Sequence, residues 1–107
     1  MRTYKTGKIY CLTNHTNKIY IGSTIKTLNE RLSGHKYDYK RYINNKYHYV
    51  SCFEIMKEPT YEIILLEEFA CNTKDELLRR EGQYQQDMDC VNVHINKRTF
   101  FNKNLME

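Results

Sequence analysis

Polar and apolar positions alternate over two short stretches near the start of the chain. From Lys8 to Leu12, Ile9 and Cys11 fall on one side and Tyr10 and Leu12 on the other; from Lys18 to Gly22, Ile19 and Ile21 oppose Lys18, Tyr20 and Gly22. Asn14, His15, Thr16 and Asn17 between them supply turn chemistry, so the pattern predicts a β-hairpin. Ile9, Cys11, Ile19 and Ile21 form the expected core set, with Tyr10 and Tyr20 on the opposite face. The tripeptide Lys-Ile-Tyr is thus written twice, at Lys8 to Tyr10 and at Lys18 to Tyr20. A repeat of that length is too short for a repeat domain.

Farther on, the period changes from two to that of a helix. Thr27 followed by Glu30 is a capping box, and the helix expected from there to about Tyr42 places Leu28, Arg31, Leu32, His35, Tyr39 and Tyr42 on one face. Val50 to Lys57 predicts a short helix ended by Glu58-Pro59. Thr60 to Phe69 has the β-branched and aromatic content of a central strand. Thr73 and Glu76 form a second capping box, opening a helix to about Met88 whose stripe holds Leu77, Leu78, Glu81, Tyr84 and Met88. Each helix therefore carries a charge, Arg31 or Glu81, inside its apolar stripe. A buried charge is costly unless it is paired, neutralised or metal-bound. Two readings follow: a structural Arg31–Glu81 ion pair, or a polar cleft where the helices meet, holding a metal and an anion.

Length and composition narrow the class. A chain of 107 residues is expected to form a single α+β domain with one modest core. No apolar run approaches the roughly 18 residues that span a bilayer, and MRTYKTGK lacks the apolar segment of a signal peptide. A soluble, intracellular protein without a membrane partner is expected. Cys11, Cys52, Cys71 and Cys90 show no CxxC spacing, which points to reduced thiols rather than a zinc site or disulfide framework.

The net charge of +4 is unevenly spread: residues 1–50 hold ten Lys and Arg against two acids, and residues 51–107 seven against eleven. Eight of the ten tyrosines also lie in the cationic half, densest in HKYDYKRYINNKYHYV. Cations interleaved with rings suit a surface that tracks phosphates and offers faces to bases, or equally a solvated basic helix whose tyrosines pack inward. Lys26, Lys36, Lys40 and Arg41 are the candidate contacts to a DNA backbone.

The ordered set of KIY at Lys8 to Tyr10, YIG at Tyr20 to Gly22, Arg31 and His35 at i, i+4 spacing, and Glu81 in a late helix resembles the GIY-YIG endonuclease domain. The likeness covers about residues 6 to 95, so residues 1–95 are expected to be the nuclease domain and 96–107 a short tail. It implies a small, mostly antiparallel three-stranded sheet, made of the N-terminal hairpin and a later central strand, flanked by helices. It also makes Tyr10 and Tyr20 the motif tyrosines, Arg31 the active-site arginine, His35 its helical neighbour, Glu81 the metal-binding glutamate and Asn92 the asparagine that closes the site. One departure stands out: Lys8 occupies the place of the glycine in GIY. Gly22, lacking a side chain, is the place where phosphate would approach.

The resemblance implies a DNA endonuclease that hydrolyses phosphodiesters with one Mg²⁺ or Mn²⁺ on Glu81, since a single matched acid does not suit a two-metal site. Arg31 is the expected phosphate clamp. Tyr10 is the first choice as general base, with Tyr20 and His35 in reserve and Lys18 and Arg31 supplying a field that favours a phenolate. The alternatives are a non-cleaving nucleic-acid-binding module on the same fold and an interaction domain built on the ion pair. The target, the oligomeric state (a dimer on DNA being one option) and the choice between a freestanding nuclease and a catalytic fragment are left open by the residues.

Overall fold

The computed structural model describes residues 3–92. Strands β1 (Lys8–Asn14) and β2 (Ile19–Thr24) form the hairpin, followed by helices α1 (Leu28–Ile43) and α2 (Phe53–Met56), strand β3 (Tyr61–Glu68) and helix α3 (Lys74–Asp87). The sheet is antiparallel throughout, in the order β2-β1-β3. The α+β architecture is the one expected, a three-stranded antiparallel sheet flanked by helices. The expected domain end near residue 95 and the tail 96–107 lie outside the described residues. No helix among the described residues is long and apolar enough to cross a membrane.

Local chemistry accounts for the boundaries. The hairpin turn uses Asn17 at φ 67°, a left-handed conformation that asparagine tolerates, while the Asn14 side chain accepts from the Thr16 amide at 2.8 Å. Both capping boxes form: Thr27 and Glu30 at α1, Thr73 and Glu76 at α3. The second helix is shorter than expected, beginning only at Phe53, because the residues before it form a tighter turn in which Phe53 N bonds to Val50 O at 2.9 Å and Glu54 N to Ser51 O at 3.1 Å.

Two expectations are corrected. β3 is an edge strand and β1 the central one. The apolar run Ile63 to Leu66 reads as a strand buried on both faces, yet Ile64 and Leu65 stay about two-fifths exposed because β3 has a neighbour on one side only. The core set is also redrawn. Both faces of the sheet are covered, so Tyr10 and Leu12 are as fully buried as Ile9 and Ile21, while Ile19 is only partly buried. Tyr10 and Leu12 pack with Cys52, Phe53, Ile55 and Met56 and with the apolar stripe of α1. Ile9, Cys11 and Ile21 pack on Leu77 of α3.

α1 and α3 therefore lie on opposite faces of the sheet, and the charges in their stripes approach one another only around the edge formed by β2. Strand alternation makes this possible: Tyr20 and Gly22 face α1, while Ile21 and Ser23 face α3. That edge is pinned from outside. The Asn92 side-chain amide accepts from Ile21 N at 2.9 Å and donates to Ile21 O at 2.8 Å, as a neighbouring strand would. Val91 N adds a bond to Ile19 O at 2.8 Å.

Candidate active site

A cleft of about 520 Å³ opens at this edge, lined among others by Tyr20, Gly22, Lys26, Arg31, Lys74 and Glu81. The register at Gly22 builds its floor. Tyr10 pairs with Gly22 across the hairpin, and the end of the Tyr10 ring occupies the space a Gly22 side chain would need: an ideal Cβ there falls 2.5 Å from Tyr10 Cζ. The expectation that the bare glycine leaves room for phosphate is thus corrected, since the phenol fills that room.

Under the cleft runs a chain of hydrogen bonds. Arg31 Nε donates to Tyr10 Oη at 3.0 Å. The same phenol oxygen shares a hydrogen bond with His35 Nε2, 2.7 Å away. Burial, with the Arg31 charge adding to it, lowers the His35 pKa to about 3, so the ring is neutral. Its Nδ1 faces Cys52 Sγ at 3.5 Å. Tyr20 stands edge-on to the His35 ring at 5.9 Å between centroids.

Across the β2 edge, Glu81 is almost fully buried (5% exposed) on α3. Its Oε1 accepts a short hydrogen bond from the Ser23 hydroxyl, and its Oε2 accepts from Gln85 Nε2 at 2.8 Å. Gln85 Nε2 also lies 3.3 Å from Ile21 O, tying the glutamate to the strand edge. Arg31 is thus hydrogen-bonded to Tyr10, and Glu81 to Ser23 and Gln85.

The other expected residues divide clearly. Asn92 holds β2 in place from the strand edge, through backbone contacts to Ile21. Lys18 stands apart from the cleft: its ammonium pairs with Glu54 at 3.2 Å, so the field it was expected to supply at Tyr10 is spent elsewhere. Tyr10 as general base is also corrected. It is fully buried, its hydroxyl is engaged by both Arg31 and His35, and burial pushes its pKa up to about 12 against the pull of Arg31. His35 shares that burial and its low pKa makes it a feeble base. Tyr20 alone of the three lines the cleft; burial, and next the neighbouring Tyr10, raise its pKa as well.

Lys26 lies on the cleft rim, whereas Lys40 and Arg41 sit farther along α1. Lys36 is exposed on the same helix. Lys8, at the position where a glycine was expected, has a definite job: its Nζ donates to Thr6 O at 2.9 Å and to Lys26 O at 3.1 Å. With Thr6 Oγ1 donating to Ile25 O at 2.8 Å, it ties the rim loop to the N-terminal segment.

The family model of the GIY-YIG catalytic domain matches residues 6–89. The chain belongs to the GIY-YIG family. That family is one of nucleases, which generally use divalent metal ions, so its members act on nucleic acid. A relative of this GIY-YIG chain, Uncharacterized protein 019R of Invertebrate iridescent virus 6, is 31% identical over 103 residues, covering 94% of the chain and 36% of the relative. The chain spans about a third of that relative's length. No solved structure matches it.

Ser23, Gln85, Cys52 and Lys74 were not anticipated. The i, i+4 spacing of Glu81 and Gln85 and the alternation that turns Ser23 toward α3 were readable signals. Cys52 lies far from the motifs in sequence, and nothing local marks it as the neighbour of His35.

Proposed function

We propose that the chain is a metal-dependent DNA endonuclease whose cleft hydrolyses the P–O3′ bond with a single divalent ion held at Glu81. The observation that carries this reading is the convergence of Arg31 and Glu81 on one cleft from opposite faces of the sheet. The donor chemistry suits such an ion: Glu81 is a buried carboxylate lining the cleft, a hard oxygen ligand. A hard cation bound by one carboxylate completes its shell with water and substrate phosphate. When bound, Mg²⁺ or Mn²⁺ supplies Lewis-acid stabilisation of the negative charge that develops on the phosphate oxygens.

The chain's own groups divide the remaining work. Tyr10 and His35 fix the orientation of Arg31 from below, through the bond to Nε, so that the terminal amino groups of the guanidinium present to a phosphate in the cleft. Ser23 and Gln85 orient the Glu81 carboxylate in the same manner. Tyr20 holds the attacking water by its hydroxyl; with its pKa raised, it positions that water rather than deprotonating it. Water oxygen bonds to phosphorus as the P–O3′ bond breaks, the water's proton passes to solvent, and the leaving O3′ takes up a proton. Lys26, Lys36, Lys40 and Arg41 contact the flanking DNA backbone.

Incubating the purified chain with supercoiled plasmid tests this reading. Nicked and linear products with Mg²⁺ or Mn²⁺, absent in EDTA, are expected. DNA binding without cleavage under either metal would instead favour a binding module.

A further inference from the structure

Beyond the cleft, one side of α1 carries a second, continuous set of features. Gly34, Tyr37 and Arg41 fall within about 60° of one another on one side of α1, and Arg31 lies one i, i+3 step round from Gly34 toward the cleft. Gly34 leaves that side bare: a Cβ there would meet only Arg31 Nη1, at 4.0 Å. Beyond it stands Tyr37, 65% exposed and the most exposed large hydrophobic residue described. Arg41 lies beside it, its Cζ 5.7 Å from the Tyr37 ring centroid and 4.9 Å from that of Tyr47, with its Nη2 donating to Lys46 O at 3.2 Å. A shallow groove of about 370 Å³ runs over Tyr37, Lys40, Arg41, Asn44 and Lys46. Asp38 is the single acid between residues 31 and 53.

We propose that this side of α1 is the track of an unpaired DNA strand leaving the cleft, with a base stacked on Tyr37 and its phosphates held by Lys40, Arg41 and Lys46. The proposal rests on the nuclease reading of the cleft and adds the form of the substrate. Charge complementarity selects a polyanion. The ring selects an unpaired one, because bases inside a duplex are stacked on one another and present only their edges in the grooves, whereas an extruded or single-stranded base offers a face. Cation–π contacts keep Arg41 ordered beside the ring rather than free in solvent. From Arg31 to Tyr37 the helix rises about 9 Å at 1.5 Å per residue, so one strand reaches both across Gly34.

The test is fluorescence anisotropy in metal-free buffer, where no cutting occurs, comparing a blunt duplex with the same duplex bearing a single-stranded overhang. The chain is expected to bind the overhang substrate more tightly. Tyr37→Ala should abolish that preference, weakening overhang binding by about 5- to 160-fold as loss of one base stack does, while Tyr37→Phe keeps it and blunt-duplex affinity is unchanged. Equal affinity of the unaltered chain for both substrates, an overhang affinity untouched by Tyr37→Ala, or equal losses on both substrates would each overturn the proposal. Plasmid cleavage with Mg²⁺ is scored separately, so failure of the nuclease reading and failure of the strand track give different results.

Discussion

Replacing Gly22 with alanine puts a methyl group where the end of the Tyr10 ring lies. The ideal Cβ falls 2.5 Å from Tyr10 Cζ and 3.0 Å from Cε1, well inside the roughly 3.5–4.0 Å at which carbon atoms attract. Gly22 does not have a positive φ, so alanine adopts the same backbone and the cost is steric. Tyr10 is fully buried and cannot swing aside without displacing its neighbours. Overpacking of this kind costs about 1–3 kcal/mol. Tilting the phenol also weakens its bonds to Arg31 and His35, at about 0.5–1.5 kcal/mol for the neutral one and somewhat more for the charged one. A total loss of about 2–5 kcal/mol is expected in urea unfolding followed by circular dichroism, a large part of the ~5–15 kcal/mol that holds a domain together. Tyr10→Leu removes the obstructing end of the ring, so the double variant should be at least about 1 kcal/mol more stable than the sum of the single losses implies. A Gly22→Ala cost below about 0.5 kcal/mol, or strict additivity with Tyr10→Leu, would refute the packing of these two motif residues against each other.

Two further outcomes follow from the same geometry. His35 is neutral in the fold with a pKa near 3 but takes up a proton near pH 6.5 when unfolded; its contribution to stability is therefore intact above about pH 6.5 and lost as pH falls toward 3, by at most about 1.4 kcal/mol per pH unit. Thermal melts from pH 8 to pH 4 should show that decline, and a His35→Asn variant with the same decline would place its cause elsewhere. Lys8→Met removes the ammonium held by Thr6 O and Lys26 O; faster amide exchange in residues 24–27 is expected, with unchanged exchange counting against a tether.

The motif tyrosines show how far the residues alone carry the structure. Alternation placed Tyr10 and Tyr20 on one face, and that placement holds; what alternation does not encode is that helices cover both faces, so the tyrosine face is as dry as the isoleucine face. The same limit explains Tyr10. Its motif position is legible, whereas its burial depends on Arg31, His35 and Cys52 arriving from elements distant in the chain. Both capping boxes were legible because Thr27 with Glu30 and Thr73 with Glu76 are local, three residues apart. Arg31 and Glu81 stood out as charges in apolar stripes, but their meeting around the β2 edge depends on sheet order, and the richly apolar β3 pointed to the wrong central strand. Lys18 illustrates the reverse error: an echo of the first tripeptide drew it toward the chemistry, while Glu54, from a separate helix, claims its charge.

The most direct test of the account is the single-turnover rate of plasmid nicking in Mg²⁺ for the unaltered chain and for Glu81→Gln, with the melting temperature of each recorded alongside. Glutamine keeps the size of the side chain and an acceptor for Ser23 but turns an amide N–H toward Gln85 Nε2, which in the unaltered chain donates to Oε2. A lower melting temperature with the chain still folded at the assay temperature is expected, and nicking slower by about 100-fold or more, the scale of losing one charge-stabilising group from an active site. A Glu81→Gln chain that is folded and nicks DNA at the original rate would contradict the assignment of Glu81 as the carboxylate on which cleavage depends.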